Sequence, residues 1–381
     1  GARTYGSIWP DRSVQPEMWQ MKKTGQPLSF SMSDVTEGVV ELWNRNHYTN
    51  ASRYAIRWEL KEDDKVIQSG DLALSTAPLS QELVHIPYKK PALIPGKEYR
   101  LMLHAVLKKD ELWAKAGHEV AWEELELPWS LPCSSEEKAQ GVPSYSLSEK
   151  ELVVSGDGFK YVFNRTDGQL TSMVVQDMEL LESPLRLNLW RAPLANELDN
   201  WNASSARSSN WKEGYEYTVA TEMYSAGIDR LTHQPLSFSV SETTEGVHIH
   251  IIDAELMGKG EKEKKDLYIE GVQNNGIINH YEYIINSEGT IEIRHVLKPE
   301  GKMPLWFPRI GLTLTVSDAL DQVKWYGRGP QENYPDRKTG YPTGIYASTV
   351  QAMYEPYLMP QDYGLRTDVR WLQLTTDKRI G

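Results

Sequence analysis

The sequence predicts an all-β chain. Apolar side chains recur at every second position through most of its length, as they do in strands with one buried and one solvated face. Tyr54, Ile56, Trp58 and Leu60 alternate with Arg53, Arg57 and Glu59, and Val247, Ile249 and Ile251 alternate with His248 and His250. Turn residues punctuate these runs, and no βα repeat is visible. At 381 residues there is room for two or three domains, each with its own core.

Residues 1–25 read as an arm. Pro10 and Pro16 hold most of it extended, with a short helical turn expected near Glu17–Lys23. Residues 26–128 carry about seven short strands. Those at Leu28–Met32, Val39–Asn44, Lys65–Leu72, Glu82–Ile86, Tyr99–Leu107 and His118–Leu127 accompany the Tyr54–Leu60 run. Glu62-Asp63-Asp64 and Pro95-Gly96 supply turns between them. That count in about 100 residues is the pattern of an immunoglobulin-like β-sandwich. Residues 129–146, with Pro132, Ser134-Ser135 and Gly141-Val142-Pro143, have the composition of a linker.

Residues 147–381 return to strands at longer spacing. Phe159, Tyr161 and Phe163 alternate up to a turn at Asp167-Gly168. Tyr281, Tyr283, Ile291, Ile293, His295 and Leu297 continue the count. Within this part only Ser204–Tyr217 reads as a helix. Many strands without intervening helices predict a large antiparallel two-sheet domain.

The charge of −12 argues against nucleic acid and anionic membrane as partners, and no run reaches the length of a membrane span. One cysteine, Cys133, excludes an internal disulfide framework and a multi-thiolate zinc site. Thirteen Trp and 20 Tyr against five Phe favour half-wet surfaces, sugar-stacking surfaces among them.

Two stretches stand out. Trp325–Arg337, WYGRGPQENYPDR, sets Gln331, Glu332, Asn333, Tyr334, Asp336 and Arg337 on a backbone stiffened by Pro330 and Pro335 and kinked at Gly327 and Gly329. It suits either a structural corner or a ligand contact. Leu187–Asn200, LNLWRAPLANELDN, places Arg191, Asn196, Glu197, Asp199 and Asn200 on one loop. His248 and His250 have a spacing that two metal ligands can use, but both imidazoles are expected to face solvent and no metal ligand is assigned. His47, His85, His104 and His118 stand alone and read as structural. Lys259–Lys265 reads as a solvated hairpin tip.

GRGPQENYPDRKTG resembles the signature of the last domain of large family 2 glycoside hydrolases of the β-galactosidase type. WPDR…QPEMWQMKK, the WRAP loop and Met353–Arg370 resemble other parts of the same enzymes. The resemblance implies that residues 147–381 form a supersandwich like that of galactose mutarotase, cut short at its C-terminus. It also implies that the chain follows the catalytic barrel, whose two glutamates precede residue 1, so no catalytic residue is assigned here. Arg191, Asn196, Glu197, Asn333, Tyr334, Asp336 and Arg337 are the substrate-proximal candidates. Ala195 and Glu197 depart from the acids of the family's loop. Magnesium and a monovalent cation are implied for the barrel, with no cofactor in this chain. A β-galactoside, the barrel and further copies of the whole enzyme are the implied partners. The alternatives are a mutarotase-like epimerase using His280 and Glu282, and a free carbohydrate-binding module.

Overall fold

The computed structural model describes residues 6–132, 141–193, 197, 223–224, 226–258, 275–357 and 362–376. The described residues are nearly all strand, in antiparallel sheets. The helix expected in the arm is α1, Glu17–Thr24. Pro16 stands at its N-cap, Glu17 in its first turn and Lys22 and Lys23 in its last, so both ends complement the helix dipole. Ser204–Tyr217, the other stretch read as helical, lies outside the described residues, as do Cys133 and Lys259–Lys265. Among the described residues no helix is long and apolar enough to cross a membrane.

By contacts the chain forms two compact units. The first contains β1 (Leu28–Asp34), β2 (Val39–Asn44), β3 (Tyr54–Glu62), β4 (Lys65–Leu72), β5 (Gln81–His85), β6 (Tyr99–Leu107) and β7 (Glu119–Leu127). These make a three-stranded sheet, β1-β2-β5, and a four-stranded one, β4-β3-β6-β7. Alternation drives Tyr54, Ile56, Trp58 and Leu60 of β3 and Leu101, Leu103 and Ala105 of β6 into one core with Leu28, Val40 and Leu42. The result is a seven-stranded β-sandwich. His104, solitary in sequence, meets Glu119 across the β6–β7 pair, with Nδ1 2.6 Å from Oε1.

The second unit carries β8 (Ser144–Leu147), β9 (Glu151–Gly156), β10 (Phe159–Asn164), β11 (Gln169–Val175), β12 (Met178–Glu179), β13 (Leu181–Asn188), β14 (Thr232–Thr243), β15 (Gly246–Leu256), β16 (Gly276–Ile285), β17 (Ile291–Glu300) and β18 (Gly311–Val316). Strands β8 to β12 form one sheet in meander order, β14 to β17 another, and β13 pairs with β18. Leu152, Val154, Phe159, Tyr161 and Phe163 of the first sheet share a core with Val247, Ile249, Ile251, Tyr281 and Tyr283 of the second. Gly168 turns the β10–β11 hairpin at φ +72°, and a Cβ there would come within 2.8 Å of Ile251 Cγ2. Pro235 sits on the edge strand β14 beside a register shift, where a missing N–H does least harm.

Strands β19 (Gln322–Arg328), β20 (Thr343–Thr349) and β21 (Trp371–Thr375) form a sheet in the order β20-β19-β21. Alternation alone groups them with the strands just before them, but their contacts lie in the first unit. Polar anchors hold them there. Arg100 Nη1 donates to Tyr326 Oη at 2.6 Å, Thr343 N to Glu124 Oε2 at 2.7 Å, and Tyr341 Oη to the Pro16 carbonyl at 2.5 Å. Single polar pairs of this kind leave no periodic trace in a sequence.

Candidate functional site

The loop leaving β19 is built around two fully covered polar residues, Glu332 at 1% exposure and Asn333 at 0%. Gly329 permits the turn because a Cβ would lie 2.7 Å from the Tyr346 ring, and the Gly329–Pro330 bond is cis. Burying a carboxylate is tolerable only if it is paired and hydrogen-bonded. Glu332 meets both conditions: Oε1 accepts from Arg337 Nη2 at 2.5 Å and Oε2 from Gly364 N at 2.5 Å.

Arg337 spends its other donors on the Glu332 carbonyl at 3.2 Å and Tyr341 Oη at 3.0 Å, and it stands 5.0 Å over the Tyr334 ring. Glu17 of α1 lies 3.5 Å from the same guanidinium. Burial pulls the guanidinium pKa down, but Glu17, Tyr341 and Glu332 outweigh it and leave it raised. Asn333 acts as a clamp. Its N–H donates to the Leu365 carbonyl at 2.9 Å, its Nδ2 to the Gln331 carbonyl at 3.0 Å, and its Oδ1 accepts from Thr367 N and Oγ1 at 2.9 and 2.5 Å.

Of the signature-loop candidates, Asn333, Tyr334 and Arg337 therefore face inward and Asp336 is exposed. Arg366 closes the corner by donating to the Gly364 and Pro330 carbonyls while lying over Trp325 at 5.5 Å. Its Nε has no hydrogen-bond partner among the described residues. Close by, burial and then the charge of Glu332 push the Glu355 carboxyl above its ordinary range.

A polar cleft of about 700 Å³ opens in the same unit, lined by Glu98, Glu124, Glu126, Arg328, Lys338, Asp368 and Arg370. Arg328 Nε binds Asp368 Oδ2 at 2.6 Å, and Arg370 Nε binds Glu98 at 3.0 Å. Sequence reasoning missed this cleft because its charges come from four separate segments of the chain. The only local signal was Thr367-Asp368 beside two arginines.

In the second unit the WRAP loop brings Arg191 and Glu197 together as a two-pronged pair, with both N···O distances 2.7 Å. Each side chain is 13% exposed. Trp190 packs on Tyr224 with ring centroids 5.0 Å apart. Asn196 lies outside the described residues.

Among the described residues, two groups of side chains could hold a metal ion, His233 with Asp253 and Glu255, and His248 with His250 and Glu282. The first is already occupied by a proton. His233 Nδ1 faces Glu255 Oε1 at 2.9 Å and Nε2 faces the Asp167 carbonyl at 2.7 Å, so both nitrogens must donate. The Glu255 bond, opposed by burial and helped by Asp167, lifts the imidazolium pKa to about 9. Glu282, paired with His280 in the epimerase alternative, has His248, His250 and Arg294 around it.

The chain matches the family model of the β-galactosidase small chain over residues 155–380 and that of β-galactosidase domain 4 over residues 40–128. It is 30% identical over 377 residues to a β-galactosidase of Priestia megaterium, across 99% of this chain and 33% of that protein. A β-galactosidase of Psychromonas ingrahamii is 28% identical across 96% of this chain and 34% of its own length. One from Pseudoalteromonas haloplanktis is 27% identical across 97% and 34%. The chain thus spans about a third of the length of the relatives it matches.

Proposed function

Because this chain belongs to the β-galactosidase small-chain family, we propose that it is the non-catalytic, post-barrel part of a family 2 β-galactosidase that hydrolyses terminal β-D-galactosides. The observation that carries this reading is the pair of coverages, nearly all of this chain against a third of each relative. Glycoside hydrolysis needs two carboxyl groups flanking the scissile bond, one as acid/base and one as nucleophile. On this reading both belong to the catalytic barrel of the whole enzyme. The chain's own contribution is to shape the substrate pocket and support assembly of a homo-oligomer.

The chemistry of the two loops supports a shaping role. Glu332, Asn333 and Arg337 are committed to bonds inside the fold, and Arg191 is held by both Glu197 oxygens. Groups so engaged position a wall and do not exchange protons with a substrate. Of the loop's four candidates Asp336 is the exposed one and the one best placed to meet a ligand.

The test is hydrolysis of a nitrophenyl β-galactoside by the 381-residue chain and by the whole enzyme that contains it. The chain alone should show only background turnover, and the whole enzyme should turn over. Turnover by the chain that disappears on replacing one of its own acids would overturn the reading.

A further inference from the structure

We propose that His248, His250 and Glu282 form a binding site for one divalent transition-metal ion of the zinc type on the solvent face of the β14–β17 sheet. The scaffold follows from strand geometry. Val247, Ile249 and Ile251 of β15 enter the core, so His248 and His250 project from the opposite face. The register pairs His250 directly with Glu282 on β16, placing a carboxylate beside two imidazoles two residues apart.

The distances suit a metal. His248 Nδ1 lies 3.2 Å and His250 Nε2 3.9 Å from the same oxygen, Glu282 Oε1. Donors at about 2.0–2.1 Å from a tetrahedral zinc ion are separated by roughly 3.3 Å. One pair already has that spacing, and the second closes by a small movement of His250, whose side chain is 49% exposed. All three donor atoms lie within 4.8 Å of one another.

The surrounding bonds orient the ligands. The remaining nitrogen of His248, Nε2, lies 2.8 Å from Thr243 Oγ1, which directs Nδ1 at the carboxylate. Arg294 Nη1 binds the other carboxylate oxygen, Oε2, at 3.1 Å and is drawn aside by Glu292 at 2.8 Å. The guanidinium therefore leaves Oε1 to the imidazoles, although its charge weakens cation binding. The expectation that both imidazoles face solvent holds only for His250, since His248 is 8% exposed. The His233 group differs in having both nitrogens already committed to oxygen acceptors.

The experiment is titration of the metal-stripped 381-residue chain with Zn²⁺ by calorimetry and with Co²⁺ by visible absorption. One equivalent should bind, and Co²⁺ should develop the ligand-field bands of a low-coordinate nitrogen and oxygen site. His250→Ala, at an exposed position, should melt like the parent without metal and bind at least about tenfold more weakly, and Thr243→Val should weaken binding in the same direction. Arg294→Met should tighten it. Absence of binding by the parent chain, or equal binding by His250→Ala, would overturn the proposal.

Discussion

Arg337 and Glu332 form an ion pair at 2.5 Å whose carboxylate is 1% exposed, in a loop where the intervening Asp336 is left in water. The three charges stand within six residues of one another, yet two organise the corner and one faces outward. Desolvating Glu332 is unfavourable, and it is offset by the Arg337 fork and the Gly364 N–H together. Removing either member takes from the other, still buried, the ion pair at 2.5 Å.

Arg337→Ala and Glu332→Ala should each lower unfolding free energy by about 3–5 kcal/mol. Asp336→Ala should stay within about 0.5 kcal/mol of the parent. Urea unfolding of the three variants measures this. A loss at Asp336 as large as that at Arg337 would mean that the exposed carboxylate is also structural.

Asn333→Asp keeps the acceptor that serves Thr367 but replaces the amide that donates to the Gln331 carbonyl, setting one acceptor against another. It should cost about 1–3 kcal/mol, the penalty for an unpaired buried group. Thermal melting should place it well below Gln331→Ala, and equal melting of the two would contradict the clamp.

His233 sets a pH dependence. Its folded pKa is raised to about 9 from the ordinary 6.5. A raised pKa contributes stability fully present below about pH 6.5 and lost as pH rises through about 9, because the unfolded imidazole then binds fewer protons than the folded one. The contribution is on the order of 3 kcal/mol. Proton NMR of the His233 ring should titrate with a midpoint near 9, and His233→Gln should flatten the decline in stability between neutral pH and that midpoint.

The strands were legible because each carries its signal locally. Val39–Asn44, Lys65–Leu72 and Tyr99–Leu107 form strands with the bounds expected. The strand Glu82–Ile86 shifted by one, to Gln81–His85. What alternation cannot carry is partnership across long separations. Asn333 and Thr367 are 34 positions apart, and Arg100 and Tyr326 are 226 apart. The convergence of Glu282 on His248 and His250 depends on register, which is set by hairpin turns and not by the residues that meet. Resemblance therefore pointed to the signature loop as important, while its inward-facing design became visible only with Glu332 and Asn333 in place.

Arg191 and Glu197 provide the last prediction. Their two parallel bonds of 2.7 Å use the planar fork of a guanidinium, which a lysine cannot reproduce. Arg191→Lys keeps the charge but reduces the pair to a single contact, losing about 1–2 kcal/mol of the order that holds the WRAP loop. If the loop forms part of the pocket wall in the intact enzyme, loosening it should raise KM several-fold for a nitrophenyl galactoside and leave kcat close to the parent, the pattern of a lost positioning contact. Exchanging the partners, Arg191→Glu with Glu197→Arg, should recover the melting temperature because the fork is rebuilt in reverse. KM should remain raised, since the charges facing the pocket are then inverted. Recovery of both quantities by the exchange would show that the pair is structural alone, and a fall in kcat with KM unchanged would place Arg191 in the chemistry itself.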